Sequence, residues 1–135
     1  KVEAPLLKFR LRSGERKVEV SETGRDAATQ FAPKRLYADS TQVEIRLLTG
    51  RTHQARVHAA HINYPIAGDI KYGDREFNRT LRRRGLNRLF LHAHSLTFRH
   101  PRDGGELVIE STLPQELAML LDSLDSTLPS DDSGA

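Results

Sequence analysis

The stretch "QVEIRLLTGRTHQARVHAAHI", residues 42 to 62, changes its apolar period at Gly50, so the chain must combine strand and helix. Val43, Ile45 and Leu47 alternate with Gln42, Glu44 and Arg46, the two-residue period of a strand covered on one face. Beyond Gly50, His53, Gln54 and Ala55 open a helix that runs to about Ile62, with Thr52 as its expected N-cap. Asn63 and Pro65 end it, because the residue before a proline is pushed out of the helical region.

The remaining segments follow the same logic. "RKVEV" (16 to 20) alternates as a strand, and "SETGRD" supplies a turn in which Gly24 can take positive φ. "RLYAD" (35 to 39) is expected to pair antiparallel with "QVEIRLL" through Ser40 and Thr41. "DREFNRTLRRRG" (74 to 85) predicts a short helix capped by Asp74 and stopped by Gly85, with Phe77 and Leu81 inward. "LFLHAHSLTFRHP" (89 to 101) is strand-like, and "GGELVIEST" (104 to 112) returns as its hairpin partner. Pro114 opens a last amphipathic helix carrying Leu117, Leu120, Leu121 and Leu124. The polar end, 125–135, is expected to be a disordered tail to a single unit spanning 1–124. This order of elements predicts an α+β fold with a mixed, largely antiparallel sheet and a few flanking helices.

A chain of 135 residues can bury one core. No run approaches the roughly 18 apolar residues of a membrane span, and the N-terminus "KVEAPLLKF" lacks the apolar stretch of a secretory signal. With no cysteine, disulfides, thiolate metal sites and cysteine nucleophiles are excluded. The net charge of +3 hides an asymmetry. Between Arg46 and Arg102 stand twelve Lys and Arg against three acids, an excess of nine, so the flanks sum to −6. A concentrated, Arg-rich segment favours a phosphate-bearing partner over a merely solvated basic face.

Residues 49 to 74, "TGRTHQARVHAAHINYPIAGDIKYGD", crowd Arg51, His53, Arg56 and His58 together and follow them with Asp69 and Asp74. A metal site is the first option, since His58 and His61 lie three apart and Asp69 could complete a set. The spacing matches neither an HExxH helix nor a zinc ribbon. His92 and His94 share a strand face, where His92 reads as a packed imidazole bonded to the backbone. A hydrolytic triad is the second option. No GxSxG is present, and Ser95 beside His94 would point to the opposite strand face. The third, an arginine near a helix start holding an anion or carboxylate, fits best of the three, although for a lone helical arginine such as Arg56 a plain surface ion pair would ordinarily be the reading.

"TGRTHQARVH", "YPIAGDIKYGD" and "LFLHAHSLTFRHP", in that order, resemble the RluA-type pseudouridine synthases, which isomerise uridine in RNA to its carbon-linked form. "DREFN" and "GLNRLFLHA" are most similar to bacterial members of that family that act on large-subunit ribosomal RNA. The resemblance runs from "APLLK" to about Leu124 and implies the C-terminal half of the family's catalytic fold. It also implies an attacking aspartate in a motif like HRLDxxTSG, a tyrosine that stacks on the flipped base, and no metal, nucleotide or organic cofactor. Neither the aspartate motif nor the tyrosine segment occurs in this sequence.

By the resemblance, Arg56 pairs with that aspartate, keeping ionised a carboxylate that a dry pocket would otherwise protonate. Arg51, His53 and Gln54 would shape the uridine pocket, and Leu91 would pack against the base or the tyrosine. "PIAGDIKYG" is expected to be structural, with turns at Gly68 and Gly73 and Asp69 bonded to backbone N–H groups. Arg75, Arg79, Arg82, Arg83, Arg84 and Arg88 are the expected RNA contacts, of which only some should touch the ligand. The sequence departs from the family at Ala55, where a bulky aliphatic is usual, and at Asn63–Tyr64, where Gly-His is usual. Two functions remain in view: a cytoplasmic isomerase represented by half of its catalytic domain, or a stand-alone, non-catalytic RNA-binding module. The first also predicts uncovered apolar surface and self-association of the isolated chain.

Overall fold

The computed structural model describes residues 1–125. Six strands and three helices follow one another as β1 (Leu6–Arg10), β2 (Arg16–Val20), β3 (Thr29–Leu36), β4 (Thr41–Leu47), α1 (Gln54–His61), α2 (Arg75–Arg82), β5 (Ser95–Arg99), β6 (Glu106–Glu110) and α3 (Gln115–Asp125). The class is α+β. Among the described residues the strands form three separate antiparallel pairs, β1–β2, β3–β4 and β5–β6, instead of one mixed sheet. Of the expected tail, 125–135, Asp125 is the last residue of α3, and 126–135 lie outside the described residues.

Most elements sit where the periodicity puts them, and the differences have local causes. β1 pairs Leu6 with Val20 and Arg10 with Arg16, a strand that "LLKFR" does not announce by alternation. β3 starts at Thr29 instead of Arg35 and passes through Pro33, next to which the register shifts, a place where a strand tolerates proline. β5 starts at Ser95 instead of Leu89. Residues before it are held otherwise, with the Phe90 N–H donating to the Ala67 carbonyl at 2.8 Å and Arg88 bonding the carbonyls of Leu89 and Leu91. Gly24 does not take positive φ. A Cβ there would overlap the backbone of Leu6, so close chain approach is what requires glycine.

Two apolar clusters carry the fold. Leu6, Val18, Ala27 and Val57, with Val20 and Tyr72 beside them, pack α1 against the β1–β2 hairpin. Leu81, Leu86, Leu117 and Leu120 join α2 to α3, flanked by Ala67, Phe77, Phe90, Leu113 and Leu124. α2 has the expected Asp74 cap, whose carboxylate accepts from the Glu76 and Phe77 N–H groups, and Gly85 takes φ 103° just past its end. The apolar side of β4 is poorly covered, with Val43 and Leu47 exposed. Leu96, Leu107, Val108 and Ile109 of β5–β6 are exposed too, and Leu36 is 71% exposed. That is more bare aliphatic surface on strands than a finished sheet usually leaves.

Candidate functional site: an arginine caged by a buried carboxylate and a tyrosine

The site is assembled where α1 faces the loop from Ile62 to Asp74. Entry to α1 is not through a threonine cap. His53 is the N-cap residue, at φ 53° and ψ 21° with no side-chain cap bond. A left-handed histidine costs on the order of 1 kcal/mol, so neighbours must hold it there. The holder is the Gln54 amide, fully buried and bonded at every position. Its Oε1 accepts from the Thr49 hydroxyl (2.6 Å) and the Arg51 N–H (3.0 Å). Its Nε2 donates to the Ala28 carbonyl (2.8 Å) and to Thr29 Oγ1 (2.9 Å). An amide has two donors and two acceptor lone pairs, so Gln54 keeps nothing to offer a substrate.

The network continues inward. Thr29 Oγ1 lies 2.8 Å from Nδ1 of the buried His58, whose Nε2 lies 2.8 Å from the Ala4 carbonyl. A carbonyl only accepts, so Nε2 carries the proton and Nδ1 accepts the Thr29 hydroxyl. Both His58 nitrogens are thereby engaged in the protein, while His61, its proposed metal partner, is exposed. His58 is a structural imidazole.

Arg56 emerges one turn along the same helix. Its Nε donates to Asp69 Oδ2 at 3.0 Å and its Nη2 to Asp69 Oδ1 at 2.8 Å, a two-pronged pair. The Asp69 side chain is 0% exposed and that of Arg56 19%. Asp69 Oδ1 also accepts from the N–H groups of Lys71 and Tyr72, both at 3.0 Å, as the turn predicts. Asn78 of α2 donates its Nδ2 to the Asp69 carbonyl. Gly73 packs so closely on that carbonyl that a Cβ would overlap it. The Tyr72 ring lies beneath the guanidinium, 5.1 Å from Cζ to centroid, and its hydroxyl accepts the Val18 N–H (3.0 Å) and lies 2.8 Å from His53 Nδ1. Among the described residues nothing bonds Arg56 Nη1.

Electrostatics follow from this packing. Burial pushes the Asp69 carboxyl up, but the Arg56 bonds and the Tyr72 and Lys71 N–H groups outweigh it, leaving Asp69 below its ordinary range. Arg56 is raised, first by its bonds to Asp69, so the pair stays charged. His53 is lowered, first by burial and then by the positive charges of Arg56 and Lys71. A neutral His53 is able to accept the Tyr72 hydroxyl at Nδ1.

A depressed histidine binds its proton in the unfolded chain first. Its contribution to stability is therefore complete above about pH 6.5 and is lost as pH falls through the folded value. Asp69 acts in the same direction at lower pH, its contribution complete above 3.8 and lost on further acidification. Urea unfolding should therefore give a free energy that declines from pH 7.5 to 5. His53→Asn, which tolerates the left-handed backbone, should flatten that decline. Parallel curves for the two proteins would refute the assignment to His53.

Arg51, His53, Gln54 and Arg56 are brought together, with Arg51 Nε donating to the Asp26 carbonyl at 2.9 Å. Leu91 is not joined to them by any bond among the described residues. It is half-buried, and its carbonyl accepts from Arg88. Reasoning from sequence missed Asp69 and Tyr72 as partners of Arg56. The available signal was the loop "GDIKYG", whose two glycines make room for a chain that doubles back on its own aspartate. On α2, Arg75, Arg79, Arg82 and Arg83 share the face opposite Phe77, Asn78 and Leu81, and all four are exposed. Arg84 instead donates to the Ser123 carbonyl, and Arg88 folds back onto its own loop.

No family model matches the chain. Solved structures that share its fold include two human domains. The human RNA Pseudouridylate Synthase Domain Containing 4 superposes with TM-score 0.64 and 28% identity, covering 92% of this chain and 55% of that one. The human RNA Pseudouridylate Synthase Domain Containing 1 gives TM-score 0.60 at 24% identity, over 96% and 60%. Over the residues matched, the chain is similar to pseudouridine synthases. Its curated relatives include the Ribosomal large subunit pseudouridine synthase C of Haemophilus ducreyi, 46% identical over 91% of this chain, and that of Escherichia coli K12, 49% identical over 91%. The chain spans 38% and 39% of the length of those two relatives.

Proposed function

We propose that this chain is the arginine-bearing part of an enzyme that isomerises uridine to pseudouridine in large-subunit ribosomal RNA in the cytoplasm. The observation that carries this reading is Arg56, held rigidly on one edge while Nη1 remains open to a further anion. The attacking aspartate and the stacking tyrosine would come from polypeptide outside these 135 residues. The target uridine would be drawn out of its stack, as enzymes acting on a base require. The aspartate would then attack it, with Arg56 orienting that carboxylate. No metal, nucleotide or organic cofactor enters this scheme. His53 shapes the pocket wall through Tyr72, and Leu91 would pack on the base or on the tyrosine.

The test compares the full-length protein with the isolated chain on large-subunit RNA. The full-length protein should form pseudouridine and the isolated chain none. With its strand faces uncovered, the isolated chain should also sediment as more than a monomer. Conversion by the isolated chain would overturn the assignment of the chemistry to groups outside it. A stand-alone RNA-binding module would be indicated by a full-length protein that binds RNA and converts nothing.

The RNA grip would come from the exposed face of α2. Each phosphate neutralised there contributes roughly 0.7 to 0.9 to the slope of log affinity against log salt. Replacing Arg79 and Arg83 by alanine should therefore reduce that slope by about 1.5, whereas Arg84→Ala and Arg88→Ala should leave it nearly unchanged. Equal losses per residue from Arg84→Ala and Arg88→Ala would refute this division.

A further inference from the structure

The geometry points to Asp69 and Tyr72 as positioning residues that aim the open edge of Arg56 and moderate its charge, an inference that rests on the function proposed above. Three observations carry it. Asp69 occupies the Nε and Nη2 edge of the guanidinium in two bonds, so a second carboxylate can approach mainly through Nη1. Asp69 is itself immobilised, with its side chain fully buried, two backbone N–H groups on Oδ1 and Asn78 on its carbonyl. Tyr72 places its ring under the Arg56 Cζ, 5.1 Å from the centroid, and is pinned at its hydroxyl by Val18 and His53. Of the guanidinium edges, the one at Nη1 is left.

The charge argument is separate from the steric one. A bare guanidinium beside an attacking carboxylate would stabilise the anion strongly and blunt its reactivity. With Asp69 bonded to it at 2.8 Å, the Arg56 pair is close to neutral as a whole. It then acts on an incoming carboxylate as a directed N–H donor more than as a cation. A surface ion pair would need none of this. Its anion would not be fully buried, and no aromatic ring would be tied beneath its cation.

Asp69→Asn in the full-length protein keeps the shape of the side chain and removes its charge. The expected result is at least a tenfold fall in kcat with KM for RNA within threefold of the parent. The acidic limb of the kcat/KM profile should move to lower pH, because the uncompensated guanidinium holds the attacking carboxylate ionised further down. Tyr72→Leu supplies an arm that leaves the ion pair intact, should Asp69→Asn fold poorly. It should also lower kcat tenfold with little change in KM, and Tyr72→Phe should keep kcat at least fivefold above Tyr72→Leu.

A readout independent of activity is the order parameter of the Arg56 Nε–H bond from nitrogen relaxation. It should drop in Asp69→Asn and in Tyr72→Leu, and less in Tyr72→Phe. Unchanged order in the first two variants overturns the inference whatever the protein catalyses. So does a parental kcat with an unmoved acidic limb. A full-length parent that makes no pseudouridine while Arg56 loses order in the variants refutes the proposed reaction and leaves the positioning role standing.

Discussion

Arg56→Ala in the full-length protein is expected to lower pseudouridine formation by about a hundred- to a thousandfold, the scale of removing one preorganised electrostatic group from a reacting centre. RNA affinity should change by less than about threefold, since the lost contact is to protein and not to phosphate. Arg56→Lys should recover little. An ammonium cannot present two parallel N–H bonds to Asp69 and a third donor outward at the same time. Single-turnover conversion and filter binding, measured on the same preparations, separate the two effects. Equal loss of turnover and binding would make Arg56 a phosphate contact and remove the carboxylate-orienting role. Because Asp69 would be left buried and unpaired, Arg56→Ala should also lose some stability. Assays belong well below its unfolding midpoint.

The second large effect is on folding. Gln54→Leu places an apolar side chain of similar size among the Thr49 hydroxyl, the Arg51 N–H, the Ala28 carbonyl and Thr29, all of which lose a bond. A buried polar group left unsatisfied costs about 1–3 kcal/mol. Thr29 and its partner His58 lie deepest, so a total of about 3 kcal/mol is expected once the outer groups find water. That is a large share of the 5–15 kcal/mol typical of a domain. Denaturant unfolding with an unchanged m-value would give the figure directly. A loss below about 0.5 kcal/mol, the range of ordinary surface substitutions, would show that the amide is not the keystone of the turn before α1. Gln54→Glu is the informative companion. It keeps both acceptors but loses the donors to Ala28 and Thr29, and it buries a charge.

Helix α2 and its cap, strand β2 and the β5–β6 hairpin were legible before any coordinates. Their signals lie within a few residues of one another: Asp74 before Glu76 and Phe77, the alternation in "RKVEV", the glycines at 104 and 105. The start of β3 was not legible, because "TQFAP" has no alternation and holds a proline. Its pairing is imposed by β4 and by the bridge from Thr29 to Val2. Thr52 looked like a helix cap because threonine often is one. The actual turn is set by Gln54 reaching back to Arg51, a bond that exists only when Thr29 and Ala28 hold the other end of the amide.

From the residues alone came the order of strands and helices and the concentration of positive charge between Arg46 and Arg102, both of which depend on side-chain type and spacing along the chain. The choice of Arg56 came from the resemblance of its motif to a known family. Tertiary structure alone decided what Arg56 touches. Its carboxylate lies thirteen positions downstream, and its aromatic neighbour is fastened to a strand more than fifty positions upstream. Local preferences carry no information over such separations. Loop closure around Gly68 and Gly73 brings Asp69 under the helix, and desolvation of that carboxylate makes the guanidinium its partner.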